Sequence, residues 1–480
     1  MAQRPIALPA AHGSDRLPNL RSAFVGLMIA AVAMSATGMP ARRLFSQPDD
    51  VKYLITVAAP LLLGCLALTA DPARWFFGLA VVAAPFTFVA TFNGVAISPL
   101  IPLLCASGAC LVWNGELSPR RPALGAAAVA AAVLLAAPIA FGSSTTTYAT
   151  WLTTLLVAGW VTFKIAERPG GLDFALTMLV VTAFVQALLA IWGYKTGQKF
   201  NLYQASGASA LGQDEFFSFG DLNRPAAAMP DPISLGNVLA LSLPLTVVLA
   251  CHARDAIVRA AFAVAGTVIG VALVLTFSRM SWIGAALGMI VAVVLLPSKI
   301  RGQAFVGVIA GIVLIAAMGI SLGGRDLRQR FDSIQNPTSS VNQTADGDRT
   351  REGLWHAALE TAAAHPVFGT GFGKLPPELA RRTTGAVPAV HAHSTYLQFL
   401  AEAGVAGALA LLLVIVAGVR DLISGFSRNR ALLAGAAGSL ACLLAVWLTD
   451  YTVRYAQVGA VVCVLLGAIA GQARIRGREA

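Results

Sequence analysis

Apolar residues in this chain come in long runs. They recur near residues 22–39, 53–69, 75–92, 97–113, 122–141, 150–163, 174–194, 233–251, 259–277, 281–297, 303–322, 395–419, 431–449 and 456–471. A helix needs about 20 such residues to cross a hydrocarbon core of about 30 Å, and most of these runs hold roughly 17–24. The pattern predicts an all-α polytopic membrane protein with about 12–14 transmembrane helices. Composition agrees: 57% hydrophobic and 12% charged residues are far from the balance of a soluble chain.

Basic residues orient the spans. With the amino terminus in the cytoplasm, more than half of the 34 Lys and Arg residues fall in inside segments, among them Arg120, Arg121, Lys164, Arg168, Arg428 and Arg430. Both termini are then expected in the cytoplasm. Arg42 and Arg43 run against the rule, and a cleaved signal peptide over residues 1–40 is the competing account. The long apolar core and extended basic region argue against it. The net charge of +11 fits anchoring loops that face anionic lipid, and without a clustered basic face it does not indicate nucleic acid. Cys65, Cys105, Cys110, Cys251, Cys442 and Cys463 lie inside apolar runs, which suits packing rather than disulfides or metal.

Two polar segments, 196–232 and 323–394, face the outside on this topology. The first ends in Asp231-Pro232, a helix N-cap followed by a first-turn proline. The second carries RTREGLWHAALETAAAH, with Leu354, Ala358, Leu359 and Ala362 at helical spacing, and Pro366 and the glycines of GTGFG close that helix. No strand precedes GTGFG, so it reads as a turn rather than a dinucleotide loop. Asp346-Gly347-Asp348 resembles a metal and sugar-nucleotide triplet, but it faces away from the cytoplasmic nucleotide pool and reads better as a turn or cap. HExxH, GxSxG and CxxC are absent.

Chemistry concentrates at His393, where a titratable imidazole opens an apolar helix at the membrane surface. An ordinary imidazole titrates near pH 6.5 and can accept a proton at working pH; the plain structural alternative is a helix-start hydrogen bond. His391 lies two residues earlier. Arg279 occupies a short outside turn beside Ser278 and Ser281, at the N-terminus of the next span. A guanidinium, free backbone N–H groups and the positive end of a helix make a diphosphate site. The alternative is an arginine snorkelling to lipid phosphate. Arg224 and Arg351 are further candidates in the two outside segments. Glu402, buried in a span, needs a partner, a proton or a polar cavity. Helical spacing sets it on one face with Ser394 and Gln398, and Gly404 and Ala408 on a face suited to close packing. Glu402 is read as a positioning group, or as paired with an arginine such as Arg454, against a purely structural hydrogen bond.

These residues carry a resemblance. His393, Ser394, nine residues, Gly404, two residues and Gly407 resemble the signature of the O-antigen ligase and polymerase superfamily. Arg351 and Trp355 on the preceding loop helix, and the turn of Pro366, Gly369, Gly371 and Gly373, resemble it further, as do FSRMSWIGAALG and the Arg224–Gly236 segment. The resemblance spans about 220–450. It implies a GT-C-like inner-membrane glycosyltransferase of bacteria that is inverting and metal-independent and has no cofactor. Its expected donor is a glycan on undecaprenyl diphosphate, and its acceptor a hydroxyl of lipid A core or of another glycan on the periplasmic face. His393 is then the catalytic base, Arg279, Arg224 and Arg351 bind diphosphate, and Glu402 and Gln398 help positioning. The expected organisation is an amino-terminal bundle (1–195), a first periplasmic loop (196–232), further spans (233–322), a large periplasmic loop (323–394) and carboxy-terminal spans (395–480). Two rivals are a related transferase using Asp49 and Asp50 with a metal, and a glycan or lipid exporter. The lack of a repeat between the halves argues against export.

Overall fold

The computed structural model describes residues 71–86, 90–92, 95–97, 100–116, 122–197, 218–219, 222–335, 351–383 and 391–473. In chain order these form α1 (Pro72–Ala83), β1 (Ala90–Phe92), β2 (Val95–Ile97), α2 (Leu100–Trp113), α3 (Ala123–Ala140), α4 (Thr145–Ala166) and α5 (Gly171–Thr196). Then follow β3 (Ser218–Phe219), β4 (Leu222–Asn223), α6 (Pro232–His252), α7 (Ala256–Leu275), α8 (Arg279–Leu295) and α9 (Ser298–Gln335). The chain continues through α10 (Arg351–Ala364), α11 (Leu375–Arg382), α12 (Thr395–Gly425), α13 (Arg430–Val446) and α14 (Ala456–Ala473). Among the described residues, eight helices are long and apolar enough to cross a membrane, and four more are shorter apolar helices. The protein is an all-α polytopic membrane protein. The expected runs at 22–39 and 53–69 lie outside the described residues, as do Asp49, Asp50 and Asp346–Asp348.

The span predicted over 75–92 is shorter than expected: α1 ends at Ala83, and Ala90–Phe92 pairs antiparallel with Val95–Ile97 in a small hairpin. The span predicted over 303–322 is longer, because α9 continues into the polar segment after a kink at Gly323, where φ is −134° and ψ 27°. The Asp231 cap forms as expected: Ile233 and Ser234 donate their N–H groups to its Oδ1 at 2.9 and 2.8 Å. α10 also forms, burying Leu354, Ala358 and Ala362 but leaving Leu359 exposed.

α6 lies at the centre, packed on α7, α8, α13 and α5. Lipid tails are as apolar as leucine, so these helices associate through close packing of small residues. Gly288 and Gly438 show it: a β-carbon on Gly438 would meet the Gly288 carbonyl at 2.3 Å, so α8 and α13 touch backbone to backbone. α9 stands at the periphery with little burial.

One feature of α12 departs from the continuous span read from the sequence. Gly404 has φ 62° and ψ −153°, which breaks the helix, and its close packing is against the backbone of Val367 and Gly369. The turn after α10 fills the break. Thr370 and Gly371 donate N–H groups to the carbonyls of Ala401 and Glu402 at 3.1 and 2.9 Å, while Val405 and Ala406 donate to Pro366 and Val367 at 2.8 and 3.2 Å. Four backbone groups on the two sides of the break thereby find partners within the protein, where the bilayer would offer none. The same turn reaches α3, with Phe372 donating to the Pro138 carbonyl at 3.2 Å.

Candidate active site

His393 is the residue before the N-cap of α12. Ser394 caps the helix by accepting the Leu397 N–H, and it donates its hydroxyl to the Trp447 carbonyl at 3.4 Å. Thr395 ties the helix start to the end of α13, its N–H bonding the Trp447 carbonyl at 2.9 Å and its hydroxyl the Asp450 carbonyl at 2.7 Å. Gln398 reaches back one turn, and its Oε1 accepts the Ala392 N–H at 2.9 Å. The His393 ring is thus carried on a short segment fastened at both ends, and its Nδ1 is buried with no hydrogen-bond partner among the described residues.

Asp450 lies opposite. Asn237 of α6 donates to its Oδ2 at 2.6 Å, Ser281 of α8 donates to Asn237 Oδ1 at 2.7 Å, and the Ser278 and Ser281 hydroxyls lie 2.8 Å apart. This chain joins α6, α8 and the α13–α14 connection at one end of the bundle. Arg279 begins α8 there and is exposed. Arg224 is buried beside the same turn, donating from Nε to the Thr276 carbonyl at 2.9 Å. It is anchored, not held in a loose segment.

Electrostatics tie the remaining residues to this end. Burial, and then the charges of Arg351 and Arg454, lower the His393 pKa from 6.5 to about 3. His391 is likewise held well below its usual value, by burial, by His393 and by the same two arginines. Burial and Asp231 raise Asp450 to about 6 against the pull of Arg454 and Arg351. Arg351 is exposed by surface area, yet its head group is crowded enough that burial lowers its pKa, with Asp450 opposing and Arg279 adding to the effect. Both imidazoles are therefore neutral at pH 7, and each keeps a lone pair in a field of guanidinium charge.

Of the residues singled out from sequence, His393, Arg279 and Arg351 come together electrostatically, and Arg224 joins them through the α7–α8 turn. Gln398 and Glu402 sit about one and two turns into α12 and act within the fold around the site. Glu402 Oε1 accepts the Gly373 N–H at 2.9 Å, holding the glycine turn in the helix break. The pairing with Arg454 considered from sequence does not form, since Arg454 instead donates to Tyr455 and stacks on its ring. Asp450 and Asn237 are not singled out from sequence as site members, and Arg454 is read there only as a partner for Glu402. Each is a lone polar residue near a span end, where an interfacial anchor looks the same in sequence.

His391, His393 and Asp450 each offer a donor atom, all within 4.8 Å of one another. The set fits a metal poorly. The Nδ1 of His391 already accepts the His393 N–H at 3.0 Å, so its only lone pair is used and its Nε2 carries the proton. Arg351 and Arg454 add like charge against any cation. The cluster suits a proton and an anion.

A family model described as O-antigen ligase matches residues 239–412. The matched region runs from α6 into α12 and contains Arg279, Arg351, His393, Gln398, Glu402, Gly404 and Gly407, which bears out the resemblance read from sequence. Arg224, Asn237, Asp450 and Arg454 lie outside it. No curated protein matches the chain.

Proposed function

We propose that the protein transfers a glycan from undecaprenyl diphosphate to a hydroxyl acceptor on the periplasmic face of a bacterial inner membrane, as an O-antigen ligase acting on lipid A core. The observation that carries this reading is the neutral His393 imidazole in the field of Arg351 and Arg454, with Arg279 beside Arg351, and with His393, Arg279 and Arg351 inside the matched region. The acceptor hydroxyl attacks the anomeric carbon, its proton passes to His393, and the diphosphate leaves with the electron pair of the broken C–O bond. One displacement inverts the anomeric centre. Arg279 and Arg351, with Arg224 behind them, hold the diphosphate and stabilise the charge that grows on it, so no metal is required.

The low pKa of His393 belongs to the site without donor. A diphosphate between the arginines offsets the charges that depress it and makes the imidazole more basic when the substrate is in place. The large loop (323–394) then covers the site between the spans at 233–322 and 395–480, the amino-terminal bundle (1–195) supports it, and both termini are cytoplasmic.

The test is a profile of surface glycolipids and carrier-linked glycan in cells lacking the gene, complemented with wild type or His393→Ala. Long glycan stranded on the carrier with bare core supports the ligase. Core bearing a single repeat unit indicates a repeat-unit polymerase of the same superfamily, and an unchanged profile favours another acceptor, such as protein, or an exporter.

A further inference from the structure

His391 has no part in the transfer chemistry above, yet its ring is hydrogen-bonded to the His393 main chain. His393 has φ +48°, a left-handed conformation that residues bearing a β-carbon adopt only where their surroundings hold them. Its N–H donates to His391 Nδ1 at 3.0 Å. The two rings lie 4.0 Å apart between centroids at 52°, and Tyr451 meets the His391 ring edge-on at 6.4 Å. His391 itself is buried.

Neighbouring amides of this segment have separate acceptors. Ala392 donates to Gln398 and Thr395 to Trp447, and neither group serves the His393 N–H. If His391 lost its Nδ1, that part-buried N–H would be left without its partner, at a cost to the turn. The backbone would relax toward negative φ and turn the imidazole away from the arginines. Burial and the neighbouring arginines keep His391 neutral, so Nδ1 stays an acceptor at working pH.

We propose that His391 is a positioning residue: by accepting the His393 amide while wedged against Tyr451, it locks the left-handed turn that aims the base into the arginine-lined site. This rests on the reading of His393 as the base, and the experiment separates the two.

Asparagine sets its Oδ1 where histidine has Nδ1, whereas glutamine sets its polar end near Nε2 and misses the amide. Wild type, His391→Asn, His391→Gln and His393→Ala would be purified into nanodiscs and assayed with carrier-linked glycan extracted from the deletion cells, and exchange of the His393 amide followed by NMR. His391→Asn should keep kcat within about threefold of wild type and keep the amide protected, whereas His391→Gln should lose about 30-fold or more in kcat at unchanged donor KM and expose the amide. Equal thermal unfolding of the two variants would show that both fold. Equal turnover in both, or an equally slow amide in both, overturns the proposal. Wild-type turnover in His393→Ala would remove the base reading, and the amide contrast alone would then decide whether His391 holds the turn.

Discussion

The two ends of the helix bundle treat charge differently. Opposite the histidines lies a cluster of ion pairs: Arg168 bonds Asp71 at 2.7 Å and also Glu116, Arg74 lies 3.3 Å from Asp71, and Lys164 lies 3.3 Å from Glu167. Asp421 of α12 caps α3 by accepting the Ala123 and Leu124 N–H groups at 3.3 and 2.9 Å. At the histidine end, Arg279, Arg351 and Arg454 make no ion pair with another described residue. The three described non-glycine residues with positive φ, Ala227, Phe277 and His393, also gather there. Paired charge and relaxed backbone serve the fold. Clustered like charge and strained backbone destabilise it, and persist where a ligand or a reaction uses them.

The largest effect should follow from removing the base. His393→Ala should lower transfer by about 10²–10⁴-fold while leaving insertion and thermal stability near wild type, because general-base catalysis contributes on that scale. Turnover assays and unfolding curves on the same samples check it. A large loss of stability would instead make the residue part of the fold and break the contrast between the ends.

Next is the donor grip. Arg279→Ala should weaken donor use by about 10–100-fold, the loss of one charge-assisted contact, and Arg279→Lys by less. Donor KM and kcat in the two variants check this. Equal values in both would mark an interfacial anchor, and the clustered charge would lose its main member.

A third variant tests how the site is carried. At φ 62° and ψ −153° Gly404 occupies a region that is essentially glycine-only, and an added β-carbon would meet the Val367 backbone at 2.5 Å. Gly404→Ala should therefore reduce stability by at least about 1–3 kcal/mol, read as a lower unfolding temperature, and reduce activity as the turn leaves the break.

Legibility from sequence followed the range of the interactions. Spans could be read because length and apolarity suffice to define them, and the Asp231 cap because it uses neighbours. Arg279 and His393 stood out because the motifs that carry the family resemblance fall on them, since position alone left each with an equally good structural reading. The Gly404 break could not be read: its cause is the turn at Pro366–Gly373, and nothing local to α12 calls for it. Asp450 and Asn237 come together from α6 and the α13–α14 connection, residues far apart in the chain. His391 is off the signature position, and its contact is with the main chain of His393, which a sequence does not display.

A smaller and more specific effect concerns pH. Arg351 is, after burial, the first charge that depresses His393. Replacing it with glutamine removes that repulsion, so the His393 pKa should rise from about 3 toward its ordinary 6.5. The acid limb of kcat/KM, which reports the free enzyme, should then move to higher pH in Arg351→Gln. Movement to lower pH, or none, would mean that Arg351 does not act on the base.

The smallest effect is expected at the other end. Arg168→Gln leaves Asp71 and Glu116 without their shared partner, but these side chains are partly exposed, at 32% and 33%. Solvent screens such groups, so the loss should be about 1 kcal/mol or less, visible as a small drop in unfolding temperature that high salt reduces further. Transfer, donor KM and the pH profile should be unchanged, because the histidine end is anchored through Asn237, Ser281, Thr395 and Trp447, none of which touches this network. If Arg168→Gln instead lowered kcat as much as Arg279→Ala does, the two ends would be coupled through the bundle. Paired charge would then be part of the catalytic arrangement, and the division drawn between the ends would fail.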